Sequence, residues 1–247
     1  YKLMLSLTQM GAEKPFSVRE HRFRVTRQPV LPFMITAVGS VLAGAFLIVF
    51  FISFRRVMSG FKVRWIVLTS LYGAVGFVIV NVPGTLFMDM FRALLGPFSF
   101  LASGLFFGVV QYVLWTSLII LVPRAGTMSL VMAVRVLLSW VLLGNISLVS
   151  VLWMAVHALI AEAALWLVGA TRGNPHKSLH PAGLFFAFAV SEAVATFFNL
   201  ESVIFLYRLY YADWYIVLNT LVGGVVYTLI GVALGLGMGK RLRMVVE

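Results

Sequence analysis

Seven apolar stretches, each about as long as a membrane-spanning helix, fill residues 31–238 almost without a break. A bilayer core is about 30 Å thick, so a helix that crosses it needs about 20 apolar residues. Only 11% of the chain is charged while 62% is hydrophobic, too few charges for the surface of a soluble protein. The sequence therefore predicts an all-α integral membrane protein with seven transmembrane helices. The predicted spans are residues 31–54, 63–83, 98–122, 127–144, 146–171, 183–205 and 214–238.

Two further segments fall outside these spans. Residues 1–30 are polar and basic, and they alternate roughly around Gly11 and Pro15, which predicts a small β-hairpin outside the bilayer. Residues 83–97 are bounded by Pro and Gly and are too short and polar to cross, so a re-entrant or interfacial piece is expected there.

The distribution of Lys and Arg sets the orientation of the chain. Placing the basic 55–64 loop in the cytoplasm puts Arg124, Arg172 and the tail after residue 239 on the same side. The C-terminus of this multi-pass membrane protein is therefore predicted to be cytoplasmic. The same pattern accounts for the net charge of +11 without a nucleic-acid partner.

Several chemistries lack their sequence signals. The chain has no cysteine, and it contains no H-E-x-x-H, G-x-S-x-G or Walker A motif. His176 and His180 are four residues apart in a Pro-flanked loop, which is weak support for a metal site without a third ligand. We expect no enzymatic activity, no metal and no cofactor.

Ionisable side chains inside spans are costly and are functional candidates by default. Arg135 lies eight residues from the cytoplasmic end of its predicted span, and Glu162 and Glu192 each lie nine residues from theirs. At 1.5 Å per residue, all three fall at a depth of roughly 12–14 Å. We expect Arg135 to contact Glu162, Glu192 or both, either as a buried ionic clamp or as the polar floor of a ligand pocket. Glu201 is a further carboxylate near the end of its span.

Aromatic and amide side chains gather towards the outer ends of the later spans. Flat heteroaromatic ligands suit such a set, because aromatic faces stack and amides fix orientation. The alternative for Trp140 and Trp214 is an ordinary interfacial belt. The sequence predicts a cavity open to the outside, walled by the fourth to seventh spans, with 83–97 as its lid. The candidate substrate-binding residues are Trp140, Trp153, His157, Glu162, Glu192, Asn199, Asn219 and Arg135.

From Phe61 onward, the order of elements resembles the substrate-binding S component of energy-coupling factor (ECF) transporters. The similarity covers about residues 61–240 and is greatest to the branch for thiamine and its hydroxymethylpyrimidine precursor. It rests on these points in order: "FKVRWIVL", Gly96-Pro97, Leu143-Gly144-Asn145 and Ala161-Glu162-Ala163. The span at 31–54 is extra to that pattern, which divides the chain into residues 1–30, an added helix at 31–54 and a six-helix domain at 61–247.

The resemblance implies a small membrane protein that binds a vitamin or heterocycle. It also implies docking on a transmembrane T component driven by two cytoplasmic ATPase subunits. A different class remains open: a non-transporting scaffold subunit of a larger membrane complex, with the 31–54 helix as its docking element. In either case membrane lipid surrounds the chain.

Overall fold

The computed structural model describes residues 2–7, 17–22, 30–144, 147–172 and 180–246. The chain forms two compact units, Tyr1–Leu31 and Pro32–Glu247. In the first unit, strand β1 (Lys2–Leu7) pairs antiparallel with β2 (Ser17–Arg22), with Lys2 opposite Arg22. The remaining residues of the segment expected to form a hairpin lie outside the described part.

The second unit is helical throughout its described residues, apart from short connections. Its helices are α1 (Val30–Ser59), α2 (Val63–Gly76), α3 (Val82–Leu95), α4 (Ser99–Gly104), α5 (Gln111–Leu121), α6 (Thr127–Leu143), α7 (Leu148–Leu167), α8 (Pro181–Tyr207), α9 (Asp213–Leu218) and α10 (Tyr227–Val246). Three π-helical segments interrupt them: Phe77–Asn81, Leu105–Val110 and Asn219–Val226. A 3₁₀ turn covers Gly96–Phe98.

Six helices of the described chain are long and apolar enough to cross a membrane, which indicates a multi-pass membrane protein. They are Val30–Ser59, Val63–Gly84, Ser99–Leu121, Val149–Leu167, Pro181–Tyr207 and Asp213–Met244. The remaining apolar helix, α6, has 17 residues and is therefore about 26 Å long at 1.5 Å per residue. The seventh crossing stays a prediction.

The segment 83–97 differs from its expectation. Helix α2 continues through the π-helical turn Phe77–Asn81 directly into α3, and Pro83, which has no N–H to donate to the preceding turn, follows just after the π-helical residues. A re-entrant piece separate from the second span is therefore wrong, and an interfacial position of α3 stays a prediction. The chain reverses only at Gly96, whose φ of +53° suits glycine.

Helix α5 lies at the centre of the bundle. Nine of its eleven residues are buried, among them the large side chains Tyr112, Trp115 and Leu118. Helix α5 packs against both α2 and α10. Helix α7 packs against both α6 and α8. The polar residues at the start of α5 are consequently held at a fixed place inside the bundle.

Glycines on α10 set the distance between α5 and α10. A Cβ at Gly231 would lie 2.6 Å from the Val109 carbonyl oxygen and 2.8 Å from the Tyr112 Cβ. Gly235 is equally tight against the Val113 backbone, with 2.9 Å to its carbonyl oxygen. Small residues of this kind allow helix backbones in membranes to approach closely.

We expect Gly231→Ala to lower the stability of the protein by about 1–3 kcal/mol, because the added methyl group meets backbone that cannot move aside alone. Gly237→Ala is the matched control on the same helix, since nothing lies within 4 Å of its Cβ position. Thermal unfolding in detergent measures both variants. Equal unfolding temperatures for the two would contradict this account of the α5–α10 contact.

Candidate functional site

A cavity of about 880 Å³ opens at the end of the bundle that holds the Gly96 turn and the 208–212 loop. Its walls come from the end of α3, from α4 and the π-helical turn after it, from α8, and from the chain between Tyr207 and Gly223. Gln111 lies 12 residues along the helix from Ser99, and Glu192 lies 15 residues from Tyr207. At 1.5 Å per residue these two side chains are about 18 and 22 Å deep, so they form the floor of the cavity.

Three side chains hold the carboxylate of Glu192. The Tyr112 hydroxyl donates a hydrogen bond of 2.6 Å to Oε2, and the Thr196 hydroxyl donates one of 3.3 Å to Oε1. His157 Nε2 lies 3.2 Å from Oε2 and 3.1 Å from the Tyr112 oxygen. Tyr112 and His157 are fully buried. The carboxylate is thus oriented from α5, α7 and α8 together.

The hydrogen-bond pattern assigns the tautomer of His157. Tyr112 has one hydrogen, and it is directed at Glu192, so the short contacts of His157 Nε2 require a hydrogen on Nε2. His157 Nδ1 has no hydrogen-bond partner among the described residues. A protonated imidazole would place an unpaired N–H there, which is costly when buried. His157 is therefore neutral, with its hydrogen on Nε2.

Arg135 is also buried, at 2% exposed, but its partners are neutral amides. Its Nε donates to Asn81 Oδ1 at 3.2 Å, Nη2 donates to the same oxygen, and Nη1 donates to Gln111 Oε1 at 2.8 Å. The guanidinium also lies 5.8 Å from the centre of the Trp115 ring. The prediction that Arg135 contacts Glu162 or Glu192 is wrong, because its hydrogen bonds go to Asn81 and Gln111 and both carboxylates bond other partners.

Glu162 caps the beginning of α6 and does not line the cavity. Its Oε1 accepts from the backbone N–H groups of Met128 and Ser129 at 2.8 and 3.0 Å, and Oε2 accepts from Gly126 at 2.9 Å. The depth estimate failed because α7 ends at Leu167, so Glu162 is only five residues from that end. At this depth it meets the unpaired N–H groups and positive dipole end of α6.

Among the predicted aromatic and amide residues, Trp153, Asn199 and Asn219 line the cavity, as does Trp214. His157 lies behind Trp153, with their rings 5.5 Å apart. The predicted position of Trp140 is wrong: its side chain is 60% exposed on α6, and no described residue of α6 lines the cavity. Several residues of 99–111, in the predicted third span, line the cavity, whereas the predicted fourth span, 127–144, was expected to do so.

Other predicted residues have no place in this site. Glu201 is 4% exposed and lies outside the lining, and its Oε2 has no hydrogen-bond partner among the described residues. His180 precedes α8 as its N-cap without a side-chain cap bond, and His176 lies outside the described residues. No group of three metal-ligating side chains occurs within the described ranges.

The sequence analysis predicted Asn199 and Asn219 but not Asn81, Gln111 or the tyrosines of the site. Asn81 and Gln111 are amides in the second and third predicted spans, whereas the predicted amides lie in the later spans. Arg92 and a run of tyrosines complete the mouth of the cavity: Tyr207, Tyr210, Tyr211 and Tyr215. The dense aromatic stretch "YRLYYADWY" was a signal for this second group.

Comparisons with protein-family models, with curated proteins and with solved structures found no match to this chain.

We expect Glu162→Gln to destabilise the protein by about 1–3 kcal/mol, because the amide replaces one acceptor oxygen with a donor that faces backbone N–H groups. The matched control is Glu201→Gln, since Glu201 Oε2 accepts no hydrogen bond from any residue that the structure describes. Unfolding temperature in detergent is the measurement. If Glu162→Gln unfolds no earlier than Glu201→Gln, the capping role is refuted.

Proposed function

We propose that this chain is the substrate-binding membrane component of an ECF-type transporter for a vitamin or related heterocycle. The observation that carries the proposal is the cavity of about 880 Å³ with its aromatic walls and polar floor. Pockets for small molecules have volumes of about 300–1,000 Å³ and combine apolar walls with a few placed polar groups. The resemblance over residues 61–240 supports the same function.

The chemistry of the walls suits a flat ligand. Trp153 and Trp214 offer aromatic faces, and Asn199 and Asn219 offer amides that can fix the orientation of a ring. The indole N–H of Trp153 is buried without a hydrogen-bond partner among the described residues. Because this nitrogen is closed off, the part of Trp153 that a ligand can contact is its ring.

The distribution of basic residues supports an orientation in which the cavity opens to the outside of the cell, as uptake requires. The end of the bundle away from the cavity carries many cations, and the positive-inside rule places that end in the cytoplasm. The described cations there are Arg55, Arg56, Lys62, Arg64, Arg124, Arg172, Lys240, Arg241 and Arg243. The cavity mouth would then face the outside of a prokaryotic cell, and α6 would make the seventh crossing.

The proposal also includes partners. Because the sequence has no Walker A motif, energy would come from two cytoplasmic ATPase subunits through a transmembrane T component. Helix α1, which is extra to the six-helix pattern, is largely unburied within the protein and offers surface to lipid or a neighbouring subunit. That exposure is what a scaffold subunit would also show, but a scaffold has no need of an open cavity.

We expect hydroxymethylpyrimidine or a related heterocycle to bind the purified protein more tightly than about 0.1 mM, or about −5.5 kcal/mol. Trp153→Ala should weaken binding at least tenfold because it removes an aromatic wall on which the ligand stacks. Isothermal titration calorimetry of the full chain in detergent measures both values without depending on tryptophan fluorescence.

Trp140→Ala is the control for this titration, since it removes an indole from outside the cavity. We expect its affinity to equal that of the unmodified chain. If no vitamin-like heterocycle binds more tightly than about 0.1 mM, the scaffold function replaces the transport function. Equal losses in the two variants would mean that binding occurs elsewhere.

A further inference from the structure

Arg135 fixes the orientation of the Gln111 amide. A guanidinium has donors only, so the atom of Gln111 that lies 2.8 Å from Nη1 must be the carbonyl oxygen. Gln111 belongs to the cavity lining although it is 2% exposed. With its oxygen held by Arg135, the part of this amide left to bind a ligand is its N–H₂ group.

Glu192 presents the opposite chemistry. Its Oε2 is engaged by Tyr112 and His157, whereas its Oε1 accepts one long hydrogen bond of 3.3 Å from Thr196. A carboxylate oxygen accepts two or more hydrogen bonds, so Oε1 retains capacity for a donor. Glu192 also belongs to the cavity lining. The floor thus offers one oriented donor, from Gln111, and one oriented acceptor, from Glu192.

The charges of the floor balance without a ligand. With Glu192 ionised, as the hydrogen bonds it accepts from Tyr112 and Thr196 favour, its charge offsets that of Arg135, and the neutral tautomer of His157 adds none. A charged group brought to this floor would then leave one buried charge uncompensated, which is strongly unfavourable in a low-dielectric site. The floor therefore favours an uncharged ligand group.

We propose that Gln111 and Glu192 bind an uncharged edge of the ligand, on which a hydrogen-bond acceptor lies next to a hydrogen-bond donor. Arg135 is the positioning residue for this recognition, because it orients the Gln111 amide. A lactam and an amino-substituted nitrogen heterocycle both carry such an edge. The ligand acceptor binds the Gln111 amide N–H, and the ligand donor binds Glu192 Oε1. This inference rests on the proposed function and adds the substrate class of the same cavity.

Three matched probes test this recognition on the purified full chain. They are 4-amino-5-hydroxymethyl-2-methylpyrimidine, its analogue with CH in place of the ring nitrogen beside the amino-bearing carbon, and its analogue without the amino group. On the unmodified chain, we expect each analogue to bind at least tenfold more weakly than the parent, because each leaves one buried floor group unpaired. Isothermal titration calorimetry gives the affinities.

Arg135→Lys tests the positioning role. A lysine ammonium cannot form the fork that reaches Asn81 and Gln111 together, so the Gln111 amide loses its fixed orientation. On Arg135→Lys, the analogue without the ring nitrogen should bind less than about threefold more weakly than the parent. The analogue without the amino group should still bind at least tenfold more weakly. We call these two affinity losses the ring-nitrogen penalty and the amino penalty. The second penalty persists because Tyr112 and His157 hold Glu192 independently of Arg135.

Arg172→Lys is the control, since Arg172 is exposed and donates to the Trp166 carbonyl outside the cavity. It should keep both penalties.

Each outcome decides a separate point. If the parent binds and both analogues bind within threefold of it, this inference is overturned and the proposed function stands. If none of the three probes binds more tightly than about 0.1 mM, this inference and the proposed function both fail. If Arg135→Lys weakens all probes by one factor and keeps both penalties, Arg135 is only structural. If Arg135→Lys does not fold, Gln111→Met replaces it in this test. We expect Gln111→Met to lose the ring-nitrogen penalty and to keep the amino penalty. If it keeps the ring-nitrogen penalty, the Gln111 amide does not bind the ring nitrogen and the inference is refuted.

Discussion

The buried guanidinium of Arg135 is the group on which the site depends. A cation in the middle of a membrane helix is expensive, and here hydrogen bonds to the neutral amides Asn81 and Gln111 offset that cost. These bonds tie α6 to the long α2–α3 helix and to the start of α5. The adjacent Tyr112 ties α5 to Glu192 and His157. Five helices therefore meet at a polar layer that closes one end of the cavity: α2–α3, α5, α6, α7 and α8.

The π-helical turns bring the polar side chains to that layer. Asn81 is the last residue of the first turn, Gln111 directly follows the second, and Asn219 begins the third. A π-helical turn accommodates one extra residue and shifts the helix face that follows, and such turns occur often at functional sites. Gly108 and Gly223, within two of these turns, also line the cavity. Local helix irregularity and the position of the cavity thus coincide.

Residue pattern was sufficient for the features that depend on solvent alone. Long apolar runs predicted the membrane-spanning helices, and the six long helices follow from them. Depth estimates failed wherever a helix end was misjudged: Glu162 lies near the end of α7 because that helix stops at Leu167 rather than residue 171. Trp140 was misplaced for another reason, because apolar residues occupy every face of α6 and the sequence does not reveal which face meets other helices. The pairing of Arg135 with amides was also out of reach, since hydrogen-bond partners 24 and 54 positions apart depend on how the helices pack.

We propose that the space above this polar floor holds a small uncharged heterocycle. Mass spectrometry of the small molecules released from the freshly purified chain is the decisive measurement. We expect a low-molecular-weight heterocycle with an acceptor beside a donor, in an amount approaching one per protein and strongly reduced in Trp153→Ala. Release of only lipid and detergent, or of equal amounts of a heterocycle from both proteins, would contradict it.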